Sequence, residues 1–154
     1  MRWEKFLVAL VIVFFAIVFQ MRLSGSGGVV IDVALAALVA VGAVLTVGET
    51  ALLIMFAAWA LNWEPALSWE LGVFMTVAIS ARLLRPLLPW QPWFSNLLAV
   101  GAAALGFNFL AAWPLPATNP VAFLTAWVGT LFVGAFIFQF LRVIFGREIG
   151  SAKL

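Results

Sequence analysis

The chain alternates between long apolar stretches and short interruptions, and this pattern predicts membrane-spanning helices. The interruptions are rich in glycine, proline or charge, and the apolar stretches cover residues 6–21, 29–47, 50–62, 69–84, 94–113 and 121–145. A helix needs about 20 apolar residues to cross a hydrocarbon core of roughly 30 Å. Inside lipid every backbone polar group must be satisfied within the protein, which favours helices. We therefore predict an all-α integral membrane protein, a single membrane domain over residues 1–154 with six transmembrane helices.

The second and third stretches are nearly continuous, so their division needs a separate argument. Together they form an apolar run that would make about 50 Å of helix at 1.5 Å per residue, which is too long for one crossing. A break is therefore required. The residues Thr46-Val47-Gly48-Glu49 are the predicted place for it.

The segment Arg82–Trp93 combines two arginines with three prolines. Proline removes a backbone donor and disfavours helix at the preceding residue, so no helix is expected to run through this segment. Lysine and arginine are enriched in cytoplasmic loops of membrane proteins. The segment is therefore predicted to be a cytoplasmic loop.

Charge supports this topology. With six spans and both termini in the cytoplasm, only Arg22 lies outside, and the inside carries Arg2, Lys5, Arg82, Arg85, Arg142, Arg147 and Lys153. A single span over residues 29–62 would move the arginines that follow it to the outside, against the positive-inside rule. We predict a multi-pass protein of the bacterial inner membrane.

The first stretch has two interpretations. Arg2 and Lys5 precede an apolar run, and Ser24–Gly28 supplies small residues after it, as in a cleavable signal peptide. Gln20, Met21 and Arg22 stand just before those small residues and favour an uncleaved anchor.

Composition narrows the chemistry. The chain is 66% hydrophobic and 9% charged, and it has no cysteine and no histidine. Thiolate nucleophiles, Cys/His metal sites and histidine acid–base catalysis are therefore absent. We expect a non-enzymatic protein that needs no cofactor, holds no metal and binds no nucleic acid.

Two acids are candidates for function. Asp32 begins the second span, where a carboxylate either binds a partner, substrate or proton or sits favourably at a helix N-terminus. Glu49 lies at the turn between the second and third spans. It is expected to be a helix N-terminal acid beside Gly48 or to pair with Arg82 or Arg85.

Small and polar residues recur inside the spans. Small residues at a spacing of four allow close helix contacts, either within the bundle or with another membrane protein, and the pairs are Ala36 and Ala40, Ala102 and Gly106, and Ala122 and Ala126. The last two spans carry polar side chains for which interhelical hydrogen bonds are expected, namely Asn96, Asn108, Thr125, Thr130 and Gln139.

The overall plan resembles the bacterial rod-shape-determining protein family MreD. The first span ends in Phe19-Gln20 before a glycine-bearing turn, and the second begins Val30-Ile31-Asp32-Val33-Ala34-Leu35. This start is similar to the family's Pro-Asp followed by an apolar run, with Ile31 in place of the proline. Gly48-Glu49 lies near the third span, where the family has a later glycine-and-aspartate pattern.

The resemblance implies a subunit of the cell-elongation machinery. Such a protein binds an MreC-like scaffold in the membrane and helps to organise peptidoglycan synthases and the actin-like MreB filament, which determines cell shape. The partner-binding candidates are then the loop residues Arg82, Arg85, Trp90 and Trp93 together with Asp32 and Glu49.

A second hypothesis is a substrate-binding S-component of an energy-coupling-factor vitamin transporter, which resembles this chain in size and topology. In that interpretation Ala36 and Ala40 form a docking face. The ligand pocket would use polar and aromatic residues of the outer turns, from Asn62, Trp63, Glu64, Trp69, Trp113, Thr118 and Asn119.

Overall fold

The computed structural model describes residues 3–24, 31–61, 68–88, 91–111 and 118–145, and these residues form helices joined by short connections. The α-helices are α1 (Trp3–Ser24), α2 (Val33–Val41), α3 (Val47–Leu61), α4 (Trp69–Leu84), α5 (Pro92–Ala111) and α6 (Pro120–Phe145). A 3₁₀ turn, Arg85–Leu87, follows α4. The all-helical prediction is confirmed for the described part of the chain.

Three of these helices are long and apolar enough to cross a membrane. They are Trp3–Leu23 within α1, the whole of α5 and the whole of α6. The other helices are shorter, with nine residues in α2, 15 in α3 and 16 in α4. At 1.5 Å per residue α2 is only about 14 Å long, less than half of a hydrocarbon core.

The short helix α2 is the centre of the bundle. All nine of its residues are buried, and it contacts each of the other described α-helices. The long helices instead bury one face and expose large apolar side chains on the other, as Phe15 does on α1 and Phe132 on α6. A helix that is apolar all round is stable where protein surrounds it. Helix α2 is therefore a core element rather than a lipid-facing span.

The predicted second helix was too long. It was expected over residues 29–47, with the break at Thr46–Glu49, but α2 ends at Val41 and a turn occupies residues 42–46. Helix α3 begins at Val47 instead of Thr50. The early break leaves residues 42–46 as a turn, and Thr46 is the residue that caps the next helix.

Helices α5 and α6 pack closely through glycine. A Cβ atom at Gly134 would lie 2.8 Å from Val100, and one at Gly101 would lie 3.2 Å from Leu131. Trp127 Nε1 of α6 donates a hydrogen bond to the carbonyl oxygen of Gly101 at 3.0 Å. Small residues thus serve close packing within this bundle, the first of the two roles predicted for them.

The start and end of α4 match the sequence. Ser68 caps α4, because its hydroxyl accepts a hydrogen bond from the backbone N–H of Leu71 at 3.2 Å. The helix ends at Leu84, just before the proline-containing turn, and Pro92 opens α5. The prediction that no helix runs through Arg82–Trp93 is confirmed for the described residues of that segment.

Candidate functional site at the two ends of the central helix

The turn that follows α2 is held by an arginine from another helix. Arg82 of α4 donates a hydrogen bond from Nη2 to the carbonyl oxygen of Leu45 at 2.9 Å. A Cβ atom on Gly42 would lie 3.3 Å from Cδ of Arg82 and 3.2 Å from the carbonyl oxygen of Leu38. Glycine at position 42 therefore leaves room for the arginine stem. A cation beside the end of a helix also meets the negative end of its dipole.

Glu49 is occupied within its own turn. Its Oε2 accepts hydrogen bonds from the backbone N–H of Thr46 at 2.9 Å and from the Thr46 hydroxyl at 3.0 Å. The Thr46 hydroxyl accepts in return a longer bond from the N–H of Glu49 at 3.4 Å. This reciprocal pair is a capping box at the start of α3. The first of the two expected roles for Glu49 is confirmed, and no ion pair joins it to Arg82 or Arg85.

The N-terminal end of α2 is held by two other helices. The backbone N–H of Asp32 donates to the Thr130 hydroxyl of α6 at 3.1 Å, and the N–H of Val33 donates to Gln20 Oε1 of α1 at 2.7 Å. The Thr130 hydroxyl itself donates a hydrogen bond to the carbonyl oxygen of Ala126 at 2.8 Å. The first N–H groups of a helix have no partner inside the helix, so these two side chains replace the missing ones.

Asp32 occupies the N-cap position of α2, as the helix-terminus interpretation predicted, but its carboxylate does not cap the helix. The side chain makes no capping hydrogen bond, and the backbone at Asp32 adopts φ −79° and ψ 71°. Among the described residues no hydrogen bond or ion pair to this carboxylate is present. The negative charge still lies at the positive end of the α2 dipole.

Distances along α1 and α6 give the depth of the N-terminal end of α2. Lys5 of α1 lies over the ring of Phe145 of α6, 5.5 Å from its centroid, so the start of α1 meets the end of α6. Gln20 is 20 − 5 = 15 residues from Lys5, and Thr130 is 145 − 130 = 15 residues from Phe145. At 1.5 Å per residue both lie about 22 Å from that contact. The N-terminal end of α2 is therefore held at a single level.

Arg85 points back towards the bundle. Its guanidinium lies over the ring of Phe138, 5.5 Å from the centroid, in a cation–π contact. Arg85 follows the end of α4. Desolvation, and to a lesser degree the charge of Arg82, lowers the pKa of Arg85 to about 10. The group therefore stays protonated at neutral pH.

The two tryptophans proposed for partner binding have different outcomes. Trp93 is 47% exposed and stacks on Phe94, with ring centroids 6.3 Å apart. Trp90 lies outside the described residues. The structure therefore brings Arg82 and Glu49 to the same turn and leaves Asp32 at the opposite end of α2.

Polar residues of α5 and α6 form fewer interhelical bonds than expected. Thr130 bonds to α2, but Asn108 and Thr125 donate to carbonyl oxygens of their own helices at 2.8 Å. Asn96 is fully buried, and its Oδ1 has no hydrogen-bond partner in the described part of the chain. Gln139 is exposed. The prediction of an interhelical hydrogen bond is therefore confirmed for Thr130.

The small-residue pairs do not share one role. Ala36 and Ala40 are completely buried in α2, so the docking face expected for an S-component is wrong. Ala102 and Gly106 instead line an open groove of about 530 Å³ between α4 and α5.

Among the described residues no group of three acidic side chains is arranged to hold a metal ion.

Sequence reasoning missed the capping role of Thr46 and the bonding partners of Gln20 and Thr130. The spacing Thr46-x-x-Glu49 is a capping-box signature and was visible in the sequence. Gln20 and Thr130 had no comparable signal, because they lie 13 and 98 residues from their bonding partners.

The fold and these contacts define the class as an α-helical protein with three helices able to cross a membrane, which points to a multi-pass membrane protein. Comparisons with protein-family models, with curated proteins and with solved structures find no match. A function for this chain must therefore be argued from its own residues.

Proposed function

We propose that this chain is a non-enzymatic subunit of the bacterial cell-elongation machinery, embedded in the inner membrane and bound to an MreC-like partner. Through that partner it associates with peptidoglycan synthases. The proposal follows the sequence resemblance to the MreD family. One structural observation supports it: Arg82, Gln20 and Thr130 bind backbone groups of this same chain.

This observation argues against a role in solute transport. Arg82 holds the carbonyl of Leu45, while Gln20 and Thr130 hold the N–H groups of Val33 and Asp32. A solute pathway uses polar or charged side chains near the middle of the membrane. Side chains already committed to a helix end are poor candidates for that task, which favours an interaction protein.

The proposed topology has six crossings, with the start of α1 and the end of α6 on the cytoplasmic side. With Lys5 at the inner boundary of a roughly 30 Å core, the N-terminal end of α2 lies about 8 Å below the outer boundary. Non-helical backbone at such depth is tolerated where protein surrounds it. Burial of α2 by every other described helix meets that condition.

The topology is tested by placing single cysteines in this cysteine-free chain. Gln91 is exposed beside the start of α5, and Asn119 is exposed beside the start of α6. In intact cells an impermeant thiol reagent is expected to label a cysteine at Asn119 and to spare one at Gln91. Both positions should be labelled after the membrane is opened. Labelling at Gln91 in intact cells would overturn the six-crossing topology.

The contact surface proposed for the partner is the segment Arg82–Trp93. Leu87 is 74% exposed and Trp93 is 47% exposed, beside the cationic Arg85. Large aromatic side chains and arginine are the residues that contribute most to protein–protein binding. In the proposed topology this segment faces the cytoplasm, at the membrane surface.

Affinity purification from native membranes in a mild detergent tests the partner. Recovery of an MreC-like scaffold with cell-wall synthases is expected, and Trp93→Ala should reduce it. Trp59→Ala is the matched control, because Trp59 is also exposed but lies on α3. Equal recovery with both variants would remove Trp93 from the interface. Recovery of an ATPase pair with a coupling subunit would instead indicate the vitamin-transporter hypothesis.

A further inference from the structure

The groove between α4 and α5 is apolar along most of its length and has an arginine near one end. Its floor is made of small residues from both helices, including Ala81, Ala99 and Gly106. Arg85 and Leu88 line it next to the end of α4. The groove is thus lined mainly by apolar residues, with Arg85 near one end.

The groove opens outward from the bundle. Several of its lining side chains are exposed, among them Thr76, Leu84, Ala102 and Leu110. From Leu98 to Leu110 it follows α5 for 110 − 98 = 12 residues, which is about 18 Å. A helix with its side chains is about 10 Å across and would rest above a seam between two packed helices. A single flexible acyl chain would instead lie inside the groove.

Arg85 has unused binding capacity. Its guanidinium carbon lies 5.5 Å from the centroid of the Phe138 ring, and no carboxylate of the described residues forms an ion pair with it. Glu49, the acid at the adjoining turn, is held in its capping box with Thr46. Arginine presents several N–H donors in a plane, which suits the two oxygens of a phosphate group.

We propose that the α4–α5 groove binds one anionic phospholipid, with an acyl chain along the small-residue floor and the phosphate on Arg85. This inference rests on the membrane setting of the proposed function but not on any protein partner. The cytoplasmic leaflet supplies anionic lipids at the level where Arg85 lies in the proposed topology. An apolar groove with an arginine near one end fits an amphiphile with an anionic head.

Native mass spectrometry of the purified chain in detergent tests the proposal. Phosphatidylglycerol and phosphatidylcholine with identical chains are added separately, and bound lipid is counted. The chain is expected to retain one phosphatidylglycerol with at least tenfold preference. Arg85→Gln should abolish that preference, whereas Arg142→Gln, which removes an exposed arginine from α6, should preserve it.

Filling the groove tests the acyl-chain position. A Cβ atom at Gly106 would meet Val77 at an ordinary 3.7 Å, so Gly106→Leu adds its bulk towards the groove. It should lower retention of both lipids about tenfold, and Gly72→Leu is the control because nothing lies within 4 Å of a Cβ there. Ala102→Phe, at an exposed lining position, repeats the test if Gly106→Leu does not fold.

Three results would overturn the lipid assignment. The first is equal retention of the two lipids by the unchanged chain, and the second is unchanged preference in Arg85→Gln. The third is loss of a co-purified protein in Gly106→Leu with phosphatidylglycerol retained, which would make the groove a docking surface for a partner helix. Loss of the preference for phosphatidylglycerol in Arg85→Gln, with normal recovery of the protein partner, would support the lipid site independently of the partner proposal.

Discussion

The two ends of α2 solve the same problem by different means. At its C-terminal end the backbone N–H groups of residues 42–44 bond the last carbonyl oxygens of the helix. Arg82 of α4 then binds the carbonyl of Leu45 in the following turn, which Thr46 and Glu49 close. At its N-terminal end the contacts come from Gln20 and Thr130, on the first and last helices of the described chain. One end is organised largely by local sequence, and the other only by the assembled bundle.

The difference shows how a helix shorter than the membrane core can be stable. Each end of an α-helix leaves backbone groups without partners, and in lipid no water is present to satisfy them. The turn after α2 supplies backbone N–H groups for carbonyl oxygens at one end, and distant side chains supply neutral oxygen acceptors for N–H groups at the other. The Asp32 carboxylate is left over from this arrangement, which makes it the candidate for a role beyond folding.

The largest effect is expected at the C-terminal end. Arg82→Met keeps the apolar stem but leaves the carbonyl of Leu45 without its charged donor, so the free energy of unfolding should fall by about 1.5–3 kcal/mol. Thermal unfolding in detergent measures this. Arg142→Met, at an exposed position, should change stability little. Equal stability of the two variants would show that Arg82 does not hold the turn.

The capping box should contribute the next largest effect. Glu49→Ala removes both acceptor bonds to Thr46 and should cost about 1 kcal/mol. Glutamine also serves at this position of a capping box, so Glu49→Gln should recover most of the stability. Chemical unfolding of the two variants compares them. If glutamine were as damaging as alanine, the charge of Glu49 would matter beyond the cap.

At the N-terminal end Thr130→Val removes the acceptor for the Asp32 N–H and should cost about 0.6–1.7 kcal/mol, the range of interhelical hydrogen bonds in membranes. Thr125→Val is a close control, because Thr125 also donates to a carbonyl four residues earlier on α6 but is exposed. Its effect on unfolding should be near zero. Similar losses in both variants would assign the effect to the helix itself.

The smallest effect on stability is expected for Asp32→Asn. The carboxylate caps nothing, so unfolding should change by less than about 0.5 kcal/mol and membrane insertion should be normal. Recovery of the partner complex from native membranes should nevertheless decrease. Normal recovery would remove Asp32 from the functional residues. A large loss of stability would mean that its carboxylate supports the N-terminal end of α2 after all.

The helical class and most helix positions were predictable because they depend on local pattern. Apolar stretches interrupted by Pro86, Pro92 and Pro120 indicate where helices cannot continue, and the observed ends of α4, α5 and α6 lie within two residues of the predicted ends wherever they fall in described segments. The Ser68 cap at the start of α4 likewise depends on local sequence. The capping box at Thr46 and Glu49 belongs to this group as well, although it was overlooked.

The length and burial of α2 depended on contacts that no local pattern encodes. An apolar stretch has the same composition whether lipid or protein surrounds it, so residues 29–47 read as one span. Only the assembled bundle shows that Arg82 bonds the turn after α2, and that Gln20 and Thr130 bond the N–H groups at its start. By itself the sequence determined which segments are helical. The tertiary structure decided which of them is the core, because that depends on which polar side chains reach its ends.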